Sequence, residues 1–283
     1  LVHTPTHYTA IAGTGAVAKT FAHFFAASGG AAILISRNPA QSIAGFRTVT
    51  YENLPTNISQ VLIAVPDSAI TAVAERLVRS KPRLALHTSG NFGAEVLYPL
   101  SDHGTSCGAM HPLQTLAGNP DDLSALRGAA FALSGDRSAI AWAQRIVNAI
   151  GGEPLEISPE HRALYHAAAV MTSNYVTALI DTSESLFIEA GLPAETARRI
   201  LGPLLRKAVE NTLTQGPVAA LTGPIARGDC NTVASHLKAL SSVPESIQRL
   251  YRTAGLRTLD IAERKGLPGE TALQLHALLQ TSK

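Results

Sequence analysis

Residues 9–18 read Thr9-Ala10-Ile11-Ala12-Gly13-Thr14-Gly15-Ala16-Val17-Ala18, a short apolar run that passes into GxGxxA and then into helix formers. Each small residue in that turn has a physical purpose. Gly13 permits the tight turn, Gly15 lets the backbone approach a pyrophosphate with no Cβ in the way, and Ala18 keeps the following helix close to the strand. The first helical N–H groups, those of Ala16 and Val17 beside Thr14, have no intrahelical acceptor and present a positive dipole end to phosphate. A glycine-rich turn alone is a weak signal, since such turns also serve purely structural ends. Here it lies between a strand and a helix at the head of a βαβ spacing, and it reads as a dinucleotide-binding turn.

The end of the next strand decides which dinucleotide. It runs Leu34-Ile35-Ser36-Arg37-Asn38, about 20 residues beyond the glycines, where a site for NAD places Asp or Glu on the ribose 2′-hydroxyl. No carboxylate stands there. Ser36, Arg37 and Asn38 are hydrogen-bond donors suited to a 2′-phosphate, so NADP is the expected cofactor.

Outward from this turn, the first half alternates short apolar runs with helical stretches. Strands are expected at Thr9–Ala12, Ala32–Ile35, Arg47–Thr50, Val61–Val65, Leu84–His87, Cys107–Met110, Ala129–Leu133 and Pro154–Ile157, with helices clearest at Val17–Ala27, Ile70–Val78 and Ile140–Ala149. This is the pattern of an α/β Rossmann domain with a mostly parallel sheet. The pattern changes after Ser158-Pro159. From 160 to 190 there is neither Pro nor Gly, and Gly191 and Pro193 then supply a stop. A helix running unbroken through that segment would be roughly 45 Å long at ~1.5 Å per residue. Further helices are expected at Ala194–Thr214, Thr232–Leu240, Glu245–Arg264 and Thr271–Leu279. The expected domains are therefore 1–157, binding NADP, and an all-α domain at 158–283. A helix as long as that in so small a domain needs partners, and a second copy of the chain is the expected one.

Composition excludes several classes. With 283 residues, 46% hydrophobic and 16% charged, the chain can bury two ordinary cores. Its net charge of +2 has no basic run, so no nucleic-acid partner is expected. Cys107 and Cys230 are too few for a disulfide framework or a thiolate cage, and no metal site is expected. No signal peptide and no apolar run of membrane-spanning length stands out, so a cytoplasmic location with no membrane partner is the expectation.

Polar clusters stand where strands should end, the usual place for ligands in an open α/β sheet. They are Val65-Pro66-Asp67-Ser68, His87-Thr88-Ser89-Gly90 and His111-Pro112-Leu113-Gln114. Val65, Pro66 and Ser89 are expected beside the cofactor, and Gln114 beside the substrate. Asp67 has the plainer reading of a helix cap. His111 is fixed by Pro112 and points a titratable ring from a strand tip. On the Ala-rich helical segment, His166 and Ser173 are seven residues apart and nearly in line, with Asn174 beside Ser173. Later, Thr222 and Arg227 lie among turn formers, where Asp229 or Asn231 could cap the next helix. Arg227 suits a substrate carboxylate.

Taken together, GTGAVA at 13–18, AVPDSAI at 64–70, HTSG at 87–90, HPLQ at 111–114, YHAAAVMTSN at 165–174 and LTGPIARGD at 221–229 resemble a family of Rossmann-plus-helical oxidoreductases whose C-terminal half is DUF2520. The resemblance covers almost the whole chain. It implies kinship with pyrroline-5-carboxylate reductases, ketopantoate reductases and β-hydroxyacid dehydrogenases, and with it NADP use, a dimerising helical domain and reduction of a small 2-oxo or imino acid, ketopantoate-like first among them. One departure matters. The dehydrogenases and ketopantoate reductases carry a catalytic Lys one turn before an Asn on the first long helix of the second domain. Asn174 is present here, but Val170 stands in place of the Lys. Either His166, expected to matter most, or His111 donates the proton in its stead, or the acceptor is an imine that arrives protonated; Ser173 and Asn174 orient the acceptor. The alternative that the missing Lys suggests is a non-catalytic NADP-binding or sensing protein.

Overall fold

The computed structural model describes residues 8–29, 32–38, 45–55, 58–119 and 121–280. It divides into two compact units, one ending at Asn174 and one starting at Tyr175. The first contains a single sheet built from β1 (Tyr8–Ala12), β2 (Ala32–Ile35), β3 (Arg47–Val49), β4 (Ile58–Ile63), β5 (Leu84–His87), β6 (Ser106–Pro112), β7 (Ala130–Gly135) and β8 (Glu153–Glu156). The spatial order is β3-β2-β1-β4-β5-β6-β7-β8. Neighbours are parallel except β6 and β7, which pair antiparallel through Gly108–Gly135 and Met110–Leu133. The order reverses between β1 and β4, and that reversal opens a crevice at the carboxyl ends of the two strands.

Strand residues alternate between two cores, as a pleated strand requires. Ile11, Leu34, Leu62 and Leu86 face one side, against α1 (Ala16–Ala27) and α5 (Arg137–Ile150). Ala10, Ala12, Ile33, Ile35, Val61, Ile63 and Ala85 face the other, against α2 (Ile70–Leu77) and α3 (Tyr98–Ser101). On α5 the buried residues Ala139, Trp142, Ala143, Ile146, Val147 and Ile150 recur at helical spacing, and Gly151 ends the helix in the left-handed region at φ 82°. Each fully buried aliphatic side chain contributes roughly 1.5–3 kcal/mol, so this double layer is the main stabiliser of the first unit.

The segment expected as one helix is two. α4 (Asp122–Ala125) is a single turn between β6 and β7; α6 (Arg162–Thr172) and α7 (Asn174–Glu189) follow the sheet and are separated at Ser173. Ser173 leaves helical geometry at φ −121°, ψ −72°. The cause is local: the Thr172 hydroxyl lies 3.2 Å from Ala168 O and 3.1 Å from Ala169 O, and the Ser173 hydroxyl lies 2.8 Å from Ala169 O. Two consecutive hydroxyls bonding back onto the preceding turn compete with the helical ladder. The first compact unit thus includes α6 and runs past the boundary expected after residue 157. Burial of Arg162 among residues of that unit draws the helix into it.

The second unit holds α7, α8 (Ala194–Gln215), α9 (Pro217–Ala220), α10 (Pro224–Arg227), α11 (Cys230–Ala239), α12 (Glu245–Arg264) and α13 (Gly269–Gln280). Its core joins Ile225, Val233, Leu259, Ala262, Ala272, Leu275 and Leu279. Asp229 caps α11 by accepting from Thr232 N at 3.0 Å, as its position suggests. α7 has no buried residue and α8 buries only Ala197. No described helix is long and apolar enough to cross a membrane.

Candidate active site

A cavity of about 860 Å³ lies at the crevice and is floored by the glycine turn. Gly13 sits at φ +126°, and a Cβ there would run into Ala64 O, so only glycine fits. Gly15 is different: its φ is −75°, and a Cβ would meet nothing within 4 Å. That Cβ would stand in open space at the head of α1, where no side chain caps the free N–H groups. A glycine kept where the protein leaves room for Cβ fits a ligand that approaches the backbone closely, and the uncapped helix start fits an anion. Thr14, Ala16 and Val17 line this floor, with Val65 and Pro66 opposite.

At the far end of the cavity are Ser36, Arg37 and Asn38, joined by Tyr51 and Arg76. The Ser36 hydroxyl accepts from Asn38 N at 3.1 Å and lies 3.0 Å from Asn38 O, so it shapes the turn that presents Arg37. Arg76 stacks 4.6 Å from the Tyr51 ring centroid and pairs with Glu52 at 3.3 Å. Among the described residues, two guanidinium groups and no carboxylate line the cavity wall. An arginine over an aromatic face, beside a second arginine, suits a phosphorylated ribose and its base.

A second cavity, of about 420 Å³, is lined by His111, Gln114, His166, Ser173 and Asn174, together with Pro112, Leu113 and Ala169. His111 and His166 meet edge to face with ring centroids 5.6 Å apart. Gly90 lies against both: a Cβ there would strike His166 Nδ1 and stand 2.9 Å from His111 Nε2. His166 Nδ1 is buried with no partner. His111 Nδ1 is 3.1 Å from the Tyr165 hydroxyl. Desolvation, then the nearby His166, Arg162 and His87, holds the His111 pKa down at about 4, so this ring is neutral at neutral pH.

Behind the histidines, Arg162 is fully buried. It donates to Ser134 Oγ at 3.1 Å and to Ser89 O at 2.9 Å, while its Nε has no partner. His87 is also fully buried; its Nδ1 accepts from Ser89 N at 3.2 Å, so its Nε2 proton must be donated to Gly93 O at 2.7 Å. Ser89, expected at the cofactor, is therefore committed elsewhere. Its backbone serves His87 and Arg162, and its hydroxyl accepts from Asn91 N and Phe92 N. Thr88, one residue earlier, lines the large cavity instead. Gln114 is likewise engaged, donating to Ala125 O at 2.9 Å and accepting from Thr115 N.

The loop after Gln114 is clamped by Asp122. One carboxylate oxygen accepts from Ala117 N, Gly118 N and Asn119 N and from Thr20 Oγ1 at 3.0 Å, and Gly118 packs on Ala16. Thr222 and Arg227 belong to the second unit. Thr222 lines a cavity of about 370 Å³ there with Tyr251 and His236, and Arg227 ends α10. Among the described residues, no group of three or more His, Cys, Asp or Glu could hold a metal ion.

The Rossmann-like domain family matches residues 10–112, and the family described as a domain of unknown function, DUF2520, matches residues 129–258. The chain carries a Rossmann-like domain followed by DUF2520. The DUF2520 match begins at β7, so this domain includes the last two strands of the sheet as well as the helices from α5 to most of α12. No curated protein matches the chain. Among solved structures, a Thermotoga maritima protein is 22% identical over 91% of this chain and 99% of its own, with a TM-score of 0.72. A Bacteroides fragilis protein assigned to the NADP oxidoreductases is 20% identical over 89% of this chain and 98% of its own, with a TM-score of 0.75. Plasmodium falciparum pyrroline carboxylate reductase, solved with NADP bound, is 14% identical over 96% of this chain and 99% of its own, with a TM-score of 0.58. At these identities the likeness shows a shared fold.

Four residues that the sequence did not single out stand in or beside the two cavities: Tyr51 and Arg76 line the large one, Asp122 clamps the loop after Gln114, and Arg162 is buried behind the histidines. Tyr51 and Arg76 had no motif to mark them. Asp122 likewise lies in no motif. Arg162 stands at the start of a helix, and only its burial distinguishes it.

Proposed function

We propose that this protein is an NADPH-dependent reductase of small 2-oxo or imino acids, a ketopantoate-like compound being the first acceptor to try. The observation that carries the reading is the cavity at the glycine turn, with its open Gly15, uncapped α1 and an end wall bearing Arg37 and Arg76 without a carboxylate. Bound there, NADPH would supply hydride. The α1 N–H groups would hold its pyrophosphate, and Arg37, with Ser36, Asn38 and Arg76 around it, its 2′-phosphate. Pro112 and the Asp122-clamped loop shape the neighbouring small cavity, where Ser173 and Asn174 would orient the acceptor and His111 or His166 would give it a proton. Arg227 is the proposed anchor for the substrate carboxylate. The solved pyrroline carboxylate reductase, with NADP in the same fold, favours the imino-acid arm of the proposal. The unburied faces of α7 and α8 support a homodimer.

Dissociation constants for NADPH and NADH test the cofactor, in the native protein and in Arg37→Asp. The native protein should prefer NADPH, and the variant should lose NADPH affinity more than NADH affinity; an unchanged ratio would sink the assignment. NADPH consumption over a panel of 2-oxo acids and cyclic imines tests the reaction. Tight NADPH binding with no turnover of any acceptor would instead favour a sensor, the reading that Val170 in place of Lys invites.

A further inference from the structure

We propose that Tyr165 is the internal proton source of the small cavity and passes its proton through His111. The inference rests on the reductase reading above and names the proton path that reading leaves open. Three observations carry it. First, the phenol oxygen of Tyr165 is 3.1 Å from His111 Nδ1, and the hydroxyl has no other partner among the described residues. If Nδ1 held the proton and donated it, the phenolic hydrogen would have no protein acceptor among the described residues. The phenol therefore donates, and the His111 proton sits on Nε2. Second, Nε2 lies on the ring edge that meets Gly90, and His111 lines the small cavity. The ring thus joins the Tyr165 hydroxyl to the cavity it lines.

Third, His166 lacks this arrangement. Its Nδ1 is buried against Gly90 with nothing to bond, so a proton there would be a buried, unsatisfied donor. The proton belongs on Nε2, and no group behind the ring could replace it. His166 can hydrogen-bond an acceptor, but only His111 is backed by a second acid.

The step balances. Hydride from the reduced nicotinamide forms the new bond at the carbonyl or imine carbon, and the π pair of C=O or C=N moves to the heteroatom. That heteroatom takes the Nε2 proton of His111. The Tyr165 O–H bond breaks as its proton moves to Nδ1, and the positive charge of Arg162 favours the resulting phenolate. Once product leaves, water in the small cavity protonates Nε2 as the Nδ1 proton returns to the phenolate, which restores the starting tautomer. Burial raises the Tyr165 pKa above its ordinary value against the pull of Arg162, so the phenol is loaded at neutral pH. The charged or titratable groups that act on this pair are Arg162 on its own helix, His111 on β6, His166 on α6 and His87 on β5.

Two measurements on the full-length protein test the relay. NMR of histidine-¹⁵N-labelled protein reads the His111 tautomer without any turnover. A protonated Nε2 with a hydrogen-bonded Nδ1 that changes in Tyr165→Phe is expected; a protonated Nδ1 would overturn the relay while leaving the reductase reading standing. Steady-state kinetics with NADPH and an acceptor found in the panel give the second. Tyr165→Phe should lower kcat by about 10²-fold at neutral pH, within the usual range for general acid catalysis, with KM and NADPH affinity unchanged. The deficit should shrink toward pH 5, where solvent can protonate His111 directly. An unaltered kcat, or a loss independent of pH and shared with KM, would overturn it. Binding of NADPH without turnover of any acceptor would remove the reductase reading and the relay together.

Discussion

Two neutral histidines sit beside a buried arginine, and that arrangement governs how the first unit responds to acid. Burial is the largest cause at His87, whose pKa falls to about 4; Arg162 lowers it further, while the Gly93 carbonyl, Glu95 and Asp67 act in the opposite direction. His111 falls to about 4 for the same leading reason. Both folded values lie below that of a free histidine, so between pH 6.5 and 4 the unfolded chain binds protons that the native protein does not. Stability is therefore fully present above about pH 6.5 and is lost as pH falls toward 4, by at most about 3 kcal/mol for a fully buried ring. Urea midpoints should decline across that window, and His111→Gln should flatten the decline. A midpoint that stays constant from pH 7 to 4.5 would show that these rings are not held neutral. Of these residues, His111 was legible from Pro112 and its place at a strand tip. Arg162 was not, because a cation at a helix start is ordinary until its burial is known.

At the scale of the element, the strand–turn–helix at 8–27 separates folding from binding in its two glycines. Gly13 is required by the fold: alanine would keep φ +126° in a region L-residues avoid and would press its Cβ on Ala64 O. Gly13→Ala should lower Tm as well as NADPH affinity, at a cost of roughly 1–3 kcal/mol or more. Gly15→Ala meets no protein atom and keeps an ordinary backbone, so its Tm should be unchanged while NADPH affinity falls at least tenfold. Thermal melts beside cofactor titrations check both, and a Gly15→Ala protein that binds NADPH normally would remove the cofactor from this turn. The motif was legible because its demands are local. The interruption at Ser173 was not: Thr, Ser and Asn occur inside many helices, and the break depends on where two hydroxyls point.

At the scale of the whole molecule, the second unit leaves a large apolar surface on α8, where Leu213 is 82% and Leu204 is 68% exposed. Contiguous apolar residues on a helix that buries almost nothing call for a covering partner, and a second copy is the expected one. Light scattering should give twice 29.6 kDa, and Leu204→Glu with Leu213→Glu should halve it. A mass of 29.6 kDa for the native protein across a wide concentration range would exclude the dimer. The buried central strands were legible because each is a short apolar run between turn formers, whereas the exposed β8, Glu-Pro-Leu-Glu, was legible only from its place after α5. That Ser36, Arg37 and Asn38 stand together at the large cavity was legible too, because they follow directly on β2. What the sequence by itself determined is therefore what local period and local chemistry specify: the two-part fold, the glycine turn between β1 and α1, and the polar residues at strand ends. Tertiary structure alone decided that α6 joins the sheet unit, that Arg76 and Tyr51 line the cavity at the glycine turn, and that Tyr165 meets His111. Those depend on burial and on contacts between residues far apart in the chain, for which no spacing rule exists.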